Sequence, residues 1–151
     1  MAALIDVPEL VTAAQMYAWC CDFDNWVICD TVCFNLFDLA ATAWAMVDRW
    51  AANDAELVER GAFALLWSLA FHDKTADDAH FIHGLELIER EAANAHNFVT
   101  KAIPMALRAF SRSNARLTVE VLDIAQRLEL STAPTSRREG RASVKELRAR
   151  K

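Results

Sequence analysis

Glycine and proline are scarce in this sequence: three of each in 151 residues, with a single tyrosine. Sandwiches and barrels of short strands need turn residues at every hairpin. The shortage therefore argues against most all-β designs. No segment sustains the two-residue alternation of a half-buried strand either. Long apolar runs are missing too. Stretches such as AFALLW at 62–67 fall far below the roughly 20 residues that span a bilayer. MAALIDVPEL at the N-terminus has no basic stretch ahead of an apolar core, so a secretory leader is not expected. A cytoplasmic protein with no membrane partner is the expectation.

Metal-ligand patterns are thin. Cys20, Cys21, Cys29 and Cys33 cluster in sequence without a C-x-x-C pair or a neighbouring histidine. Buried free thiols are the expectation rather than a zinc site. His80 and His83 follow Asp77 and Asp78 but lack a further ligand at helical spacing, and a solvated helix face is expected there.

What is present is helical. Apolar residues make up 54% of the chain and recur at three- and four-residue spacing almost throughout. The spacing predicts about eight antiparallel helices. One begins behind Thr12, where T-A-A-Q has the form of a capping box, and runs to about Asp22. A second has Asn25 as its N-cap and carries WVICDTVCFNLF. Others are predicted near 40–52, 55–72, 78–92, 97–112 and 115–130, with short polar links such as AAND, HDKTAD and AANAH between them. One domain over 1–151 is expected, with a loop at 131–136 and a basic C-terminal helix or tail over 137–151.

Charge is unevenly spread. Residues 1–100 hold four Lys and Arg against sixteen Asp and Glu, a balance of −12, whereas residues 101–151 hold twelve against five, a balance of +7, which together give the net −5. Such polarity fits an anionic partner at the C-terminal side, or a basic tail and nothing more.

A shift of 41 residues lays VDRWAANDAELVERGAFALLWSLAFHD (47–73) over IEREAANAHNFVTKAIPMALRAFSRSN (88–114). Arg60 then falls on Lys101 and Leu66 on Leu107. A period of this length suits paired-helix repeats that stack to bury their apolar faces, so the fold class predicted is an all-α, HEAT-like helical-repeat solenoid. A weaker third copy begins near 129 and puts Arg141 near the position of Arg60 and Lys101. Basic residues in one row suit phosphates; solvated helix ends are the plainer alternative.

Asp30 is the anomaly. It sits among Trp26, Val27, Ile28, Cys29, Val32 and Cys33, where a carboxylate needs a partner. Taken alone, Trp26 would be core, and Asp30 a cap or a structural partner of Arg60.

Three long motifs, DFDNWVICDTVCFNLF, ERGAFALLWSLAFHDK and LIEREAANAHNFVTKAIPMALRAF, in this order and near these spacings, resemble the DNA alkylation repair family of AlkD-like alkylpurine DNA glycosylases. The resemblance runs from about Pro8 to Leu147. It implies HEAT-like repeats holding duplex DNA on a basic surface. It also implies hydrolysis, with no metal and no cofactor, of the N-glycosidic bond of purines alkylated at N3 or N7. Matched motif to motif, Trp26 and Asp30 stand at the lesion and Arg60 supports them, as the catalytic group. Lys101, Met105, Arg108 and Arg141 fall on the DNA-binding side.

The chemistry suits these residue types. An alkylated purine already carries positive charge, so the remaining task is to stabilise an oxocarbenium-like sugar, which a carboxylate does. An indole one turn away attracts a cation by about 1 to 2 kcal/mol when desolvated. Arg60 is expected to bind a flanking phosphate and to keep Asp30 ionised.

Two departures stand out. A second aromatic is expected just before A-L-R, where KAIPMALR has Met105, and Pro104 is expected to disturb that helix. The chain also resembles a member shortened at the N-terminus, with self-association through the uncovered apolar N-terminal face as one expectation. A non-catalytic helical-repeat module that binds DNA or a protein is the alternative function.

Overall fold

The computed structural model describes residues 7–93 and 96–149, and among these it holds eight α-helices, two short 3-10 turns and no strand. The helices are α1 (Ala13–Asp22), α2 (Trp26–Asn35), α3 (Ala43–Trp50), α4 (Glu56–His72), α5 (Asp78–Glu91), α6 (Asn97–Phe110), α7 (Ala115–Glu129) and α8 (Pro134–Ala149). The caps are those the sequence prescribes. Thr12 accepts from the Gln15 amide at 3.2 Å and Asn25 from the Ile28 amide at 3.0 Å. Asp77 and Asn114 do the same for α5 and α7.

Even-numbered helices stack on one another, α2 on α4, α4 on α6 and α6 on α8, while α3, α5 and α7 line their outer side. The 41-residue period is visible directly, since α4 starts at residue 56 and α6 at residue 97. α4 is the centre of the molecule. Twelve of its seventeen residues are buried, which fits a helix apolar on nearly all sides. Trp50 of α3 closes over Gly61, and Gly84 of α5 lets that helix settle against Leu66 and Phe110. Aromatic edges extend the core outward, with Phe81 and Phe110 at 5.1 Å between ring centroids.

Two expectations are corrected. Pro104 does not interrupt α6, which is continuous from Asn97 to Phe110. Proline removes one amide donor, and the thirteen other residues of the helix supply enough packing to hold it. The loop expected over 131–136 is shorter, because α8 begins at Pro134, a residue whose missing amide costs nothing in a first turn. Of the N-terminal apolar segment, residues 1–6 lie outside the described residues, as do 150–151 of the basic tail and 94–95 of the AANAH link. Val7 and Leu10 are exposed.

No helix among the described residues is long and apolar enough to cross a membrane. No group of three or more His, Cys, Asp or Glu that could hold a metal ion occurs among them. Cys20, Cys29 and Cys33 are buried free thiols, and Cys21 is exposed. Hydrogen bonds from Cys20 and Cys33 pull the Cys29 thiol down, and the same contacts hold Cys20 and Cys33 up.

Candidate functional site

α2 opens with Trp26 in its first turn, and four-residue spacing sets Trp26, Asp30 and Phe34 on one face. α4 packs beside it and brings Arg60 up to Asp30. The contact is bidentate: Arg60 Nε donates to Asp30 Oδ1 at 2.8 Å and Nη2 to Oδ2 at 2.6 Å. Arg60 is 2% exposed and Asp30 9%, whereas Trp26 is 44% exposed. The guanidinium carbon lies 5.1 Å from the Trp26 ring centroid, so the cation covers one face of the indole. Sequence spacing thus brings together three of the residues singled out.

The third donor of Arg60 explains how it is held. Its Nη1 donates to the backbone carbonyl of Phe98 at the start of α6. Glu56 accepts from the Phe98 amide at 2.8 Å, and Glu59 accepts from the His96 ring and, at 3.5 Å, from the His96 amide. Carboxylates on α4 thereby satisfy amides at the N-terminus of α6, where the helix leaves donors unpaired. One turn of α6 is clamped by consecutive turns of α4. The expectation that Arg60 also binds a phosphate is corrected. Nε and Nη2 face Asp30, Nη1 faces Phe98, and the side chain is buried.

Electrostatics at Asp30 pull in two directions. Burial pushes its carboxyl above the ordinary range, and the Arg60 fork draws it back. The ion pair holds the charge in a place where water is scarce, which is where a carboxylate acts most strongly on a neighbouring cation.

The remaining expected residues separate. Lys101, Met105 and Arg108 share one face of α6 by their three- and four-residue spacing, and Lys101 lies one turn beyond Phe98. Lys101 is exposed and has no ion pair among the described residues; Met105 is half-buried. Arg108 is engaged with Glu146 of α8 at 2.8 and 3.0 Å, a carboxylate that holds its pKa up. Arg141 is exposed on α8 with Glu129 at 3.7 Å. The row of basic residues at one repeat position therefore does not form. Arg60 turns into the core because Asp30 is there to receive it, and Arg141 falls about one residue, or 100°, off the equivalent position.

Sequence reasoning missed an aromatic ledge beside the site. Phe34 continues the Trp26 and Asp30 face of α2, and Trp67 and Phe71 continue the Arg60 face of α4. Phe34 stacks on Trp67 at 4.7 Å, and Phe71, 43% exposed, stands at 6.0 Å from Phe34. The signal was the same three- and four-residue spacing, carried one turn further along α2 and two and three turns further along α4.

No curated protein matches the chain. A solved structure from a family of proteins related to the HEAT-like repeat DNA glycosylases, with affinity for branched DNA structures, is similar in fold. It matches with a TM-score of 0.72 at 18% identity, over 83% of this chain and 54% of its own. The chain thus spans about half the length of that protein. The sequence model of a second group matches far more of the helical array than the site alone, from residue 6 to residue 144. By that match, which takes in both α2 and α4 with their Asp30–Arg60 pair, the chain belongs to the DNA alkylation repair enzyme family.

Proposed function

We propose that the chain is a DNA glycosylase that releases purines alkylated at N3 or N7 from duplex DNA. The observation that carries this is the ionic pair of Asp30 with buried Arg60 beside a half-exposed indole. Family membership supports a role in DNA alkylation repair. The open face of Trp26 is available to a cationic base or sugar.

In the proposed reaction the bond from sugar C1′ to purine N9 breaks. Its electron pair leaves with the base and cancels the positive charge that alkylation had placed there, so no proton donor is needed. Asp30 faces the developing sugar cation, and a water adds to C1′ and passes its proton to Asp30 or to solvent. Arg60 keeps Asp30 oriented and charged through two hydrogen bonds. The exposed cation of Lys101 is the expected phosphate contact on the same side.

Single-turnover release of free 7-methylguanine from methylated duplex, compared with unmethylated duplex, tests the proposal. Release from the methylated substrate alone is the expected result. The non-catalytic DNA-binding module is favoured by one specific observation: Met105 stands where the family resemblance calls for an aromatic. Binding without release would establish that alternative.

A further inference from the structure

α8 sorts its charges by side. Its packed flank holds Gly140, Ser143 and Val144. At Gly140 the backbone of α7 comes so near that an added Cβ would meet Glu129 N at 2.3 Å and Ala125 O at 2.6 Å. Glu146 reaches across to Arg108 of α6. Taking about 100° per residue, Arg137, Arg141, Lys145 and Arg148 fall within an arc of about 80° on the flank turned away from α6. All four are exposed. Only Arg141 has a carboxylate within 4 Å among the described residues, Glu129 at 3.7 Å. Both acids of the helix, Glu139 and Glu146, lie on the other side.

Polar residues at the last helix of a repeat array keep the open end soluble. Mixed charges serve that purpose and add favourable pairs, whereas like charges four apart on one helix repel each other. A strip of one sign, in a chain whose net charge is −5, needs a further reason. Its dimensions supply one. From residue 137 to 148 the helix rises about 16 Å, the axial span of roughly five phosphates on one strand at about 3.4 Å each.

We propose that this strip is a second DNA-backbone contact, separate from the Trp26–Asp30 surface, which takes the phosphates of duplex flanking the site. It rests on DNA being the partner and is independent of catalysis. The test is the salt dependence of binding to an undamaged duplex by R137Q/R141Q/K145Q/R148Q. Glutamine is a good helix former and all four positions are exposed, so the fold is retained and checked by circular dichroism. The slope of log K against log salt is expected to flatten by about 3, near the limit of about 0.9 for each phosphate no longer neutralised. R137K/R141K/R148K keeps the charge and is expected to keep the slope. If the quadruple variant fails to fold, R137Q/R141Q and K145Q/R148Q are each expected to give about half the change. An unchanged slope overturns the proposal and leaves the strip as a solubility cap. Strip-dependent binding to phosphatidylserine vesicles with an unchanged DNA slope overturns it in favour of a lipid surface. Absence of base release in the unmodified chain bears on the glycosylase proposal alone, since the slope is measured without a lesion.

Discussion

Replacing Arg60 by methionine isolates what the ion pair does for the fold. Methionine keeps an unbranched apolar stem of similar reach but removes three hydrogen bonds, two to Asp30 and one to the Phe98 carbonyl. Breaking a buried pair by deleting one partner costs about 3 to 5 kcal/mol, because the other charge is left uncompensated. The Asp30 side chain is 12% exposed and takes up a proton more readily than an ordinary carboxyl, so the lower part of that range applies, about 3 kcal/mol. For a chain of this size that lowers Tm by roughly 10 °C. The double variant Arg60→Met/Asp30→Leu removes both charges and is expected to recover more than about 1.5 kcal/mol relative to the sum of the single variants. In Arg60→Met the Asp30 pKa rises further. A carboxyl raised in the folded state contributes stability below its ordinary pKa and loses it as pH rises through the raised value. The deficit of the variant is therefore smaller at about pH 5 than at about pH 8. Thermal melts at both pH values measure this. A Tm loss below about 3 °C, or strict additivity in the double variant, refutes the view that the pair is locked and dry.

Other consequences concern packing and the site. Gly140→Ala places a methyl 2.3 Å from a backbone nitrogen of α7, which cannot move aside as a side chain does. The expected loss is about 3 kcal/mol, against about 1 kcal/mol or less for Gly84→Ala, whose first contact is the flexible Leu66 side chain; chemical denaturation compares them. Met105→Trp supplies an aromatic on the exposed side of α6 and is expected to raise single-turnover base release by up to about tenfold, on the scale of one cation–π contact. No gain counts against a lesion-facing role for position 105. His96 is held above its ordinary 6.5 by Glu59, with burial of Glu59 working against the pair from the other side. A raised histidine stabilises fully below 6.5 and loses that contribution as pH rises through its folded pKa. His96→Gln is expected to flatten the stability-against-pH profile above 6.5, measured by urea midpoints.

The helical periodicity was legible because polar caps and links punctuate the chain and the helices carry faces that must be buried. Thr12, Asn25 and Asp77 name their own N-termini through side-chain hydrogen bonds that depend only on local sequence. Pro104 misled because the cost of one missing donor is set by tertiary packing, which sequence spacing does not display. Asp30 and Arg60 were legible as a pair, since a carboxylate in an apolar run demands a cation and the repeat supplied one. The third hydrogen bond that holds Arg60 in the core was not legible. It depends on the Phe98 carbonyl, a backbone atom 38 positions away that carries no side-chain signal. The engagement of Arg108 with Glu146 was hidden for another reason, since it depends on how α8 packs on α6, which spacing within one helix does not display.

Asp30→Asn offers the most direct test of the central claim, that this carboxylate carries the release of alkylated bases. Asparagine preserves shape and one acceptor for Arg60 while removing the charge that faces the sugar cation. Single-turnover release of 7-methylguanine from methylated duplex is expected to fall by at least about a hundredfold, the scale of removing one charge stabiliser, with duplex affinity unchanged. Release at the unmodified rate by a folded Asp30→Asn chain contradicts the account.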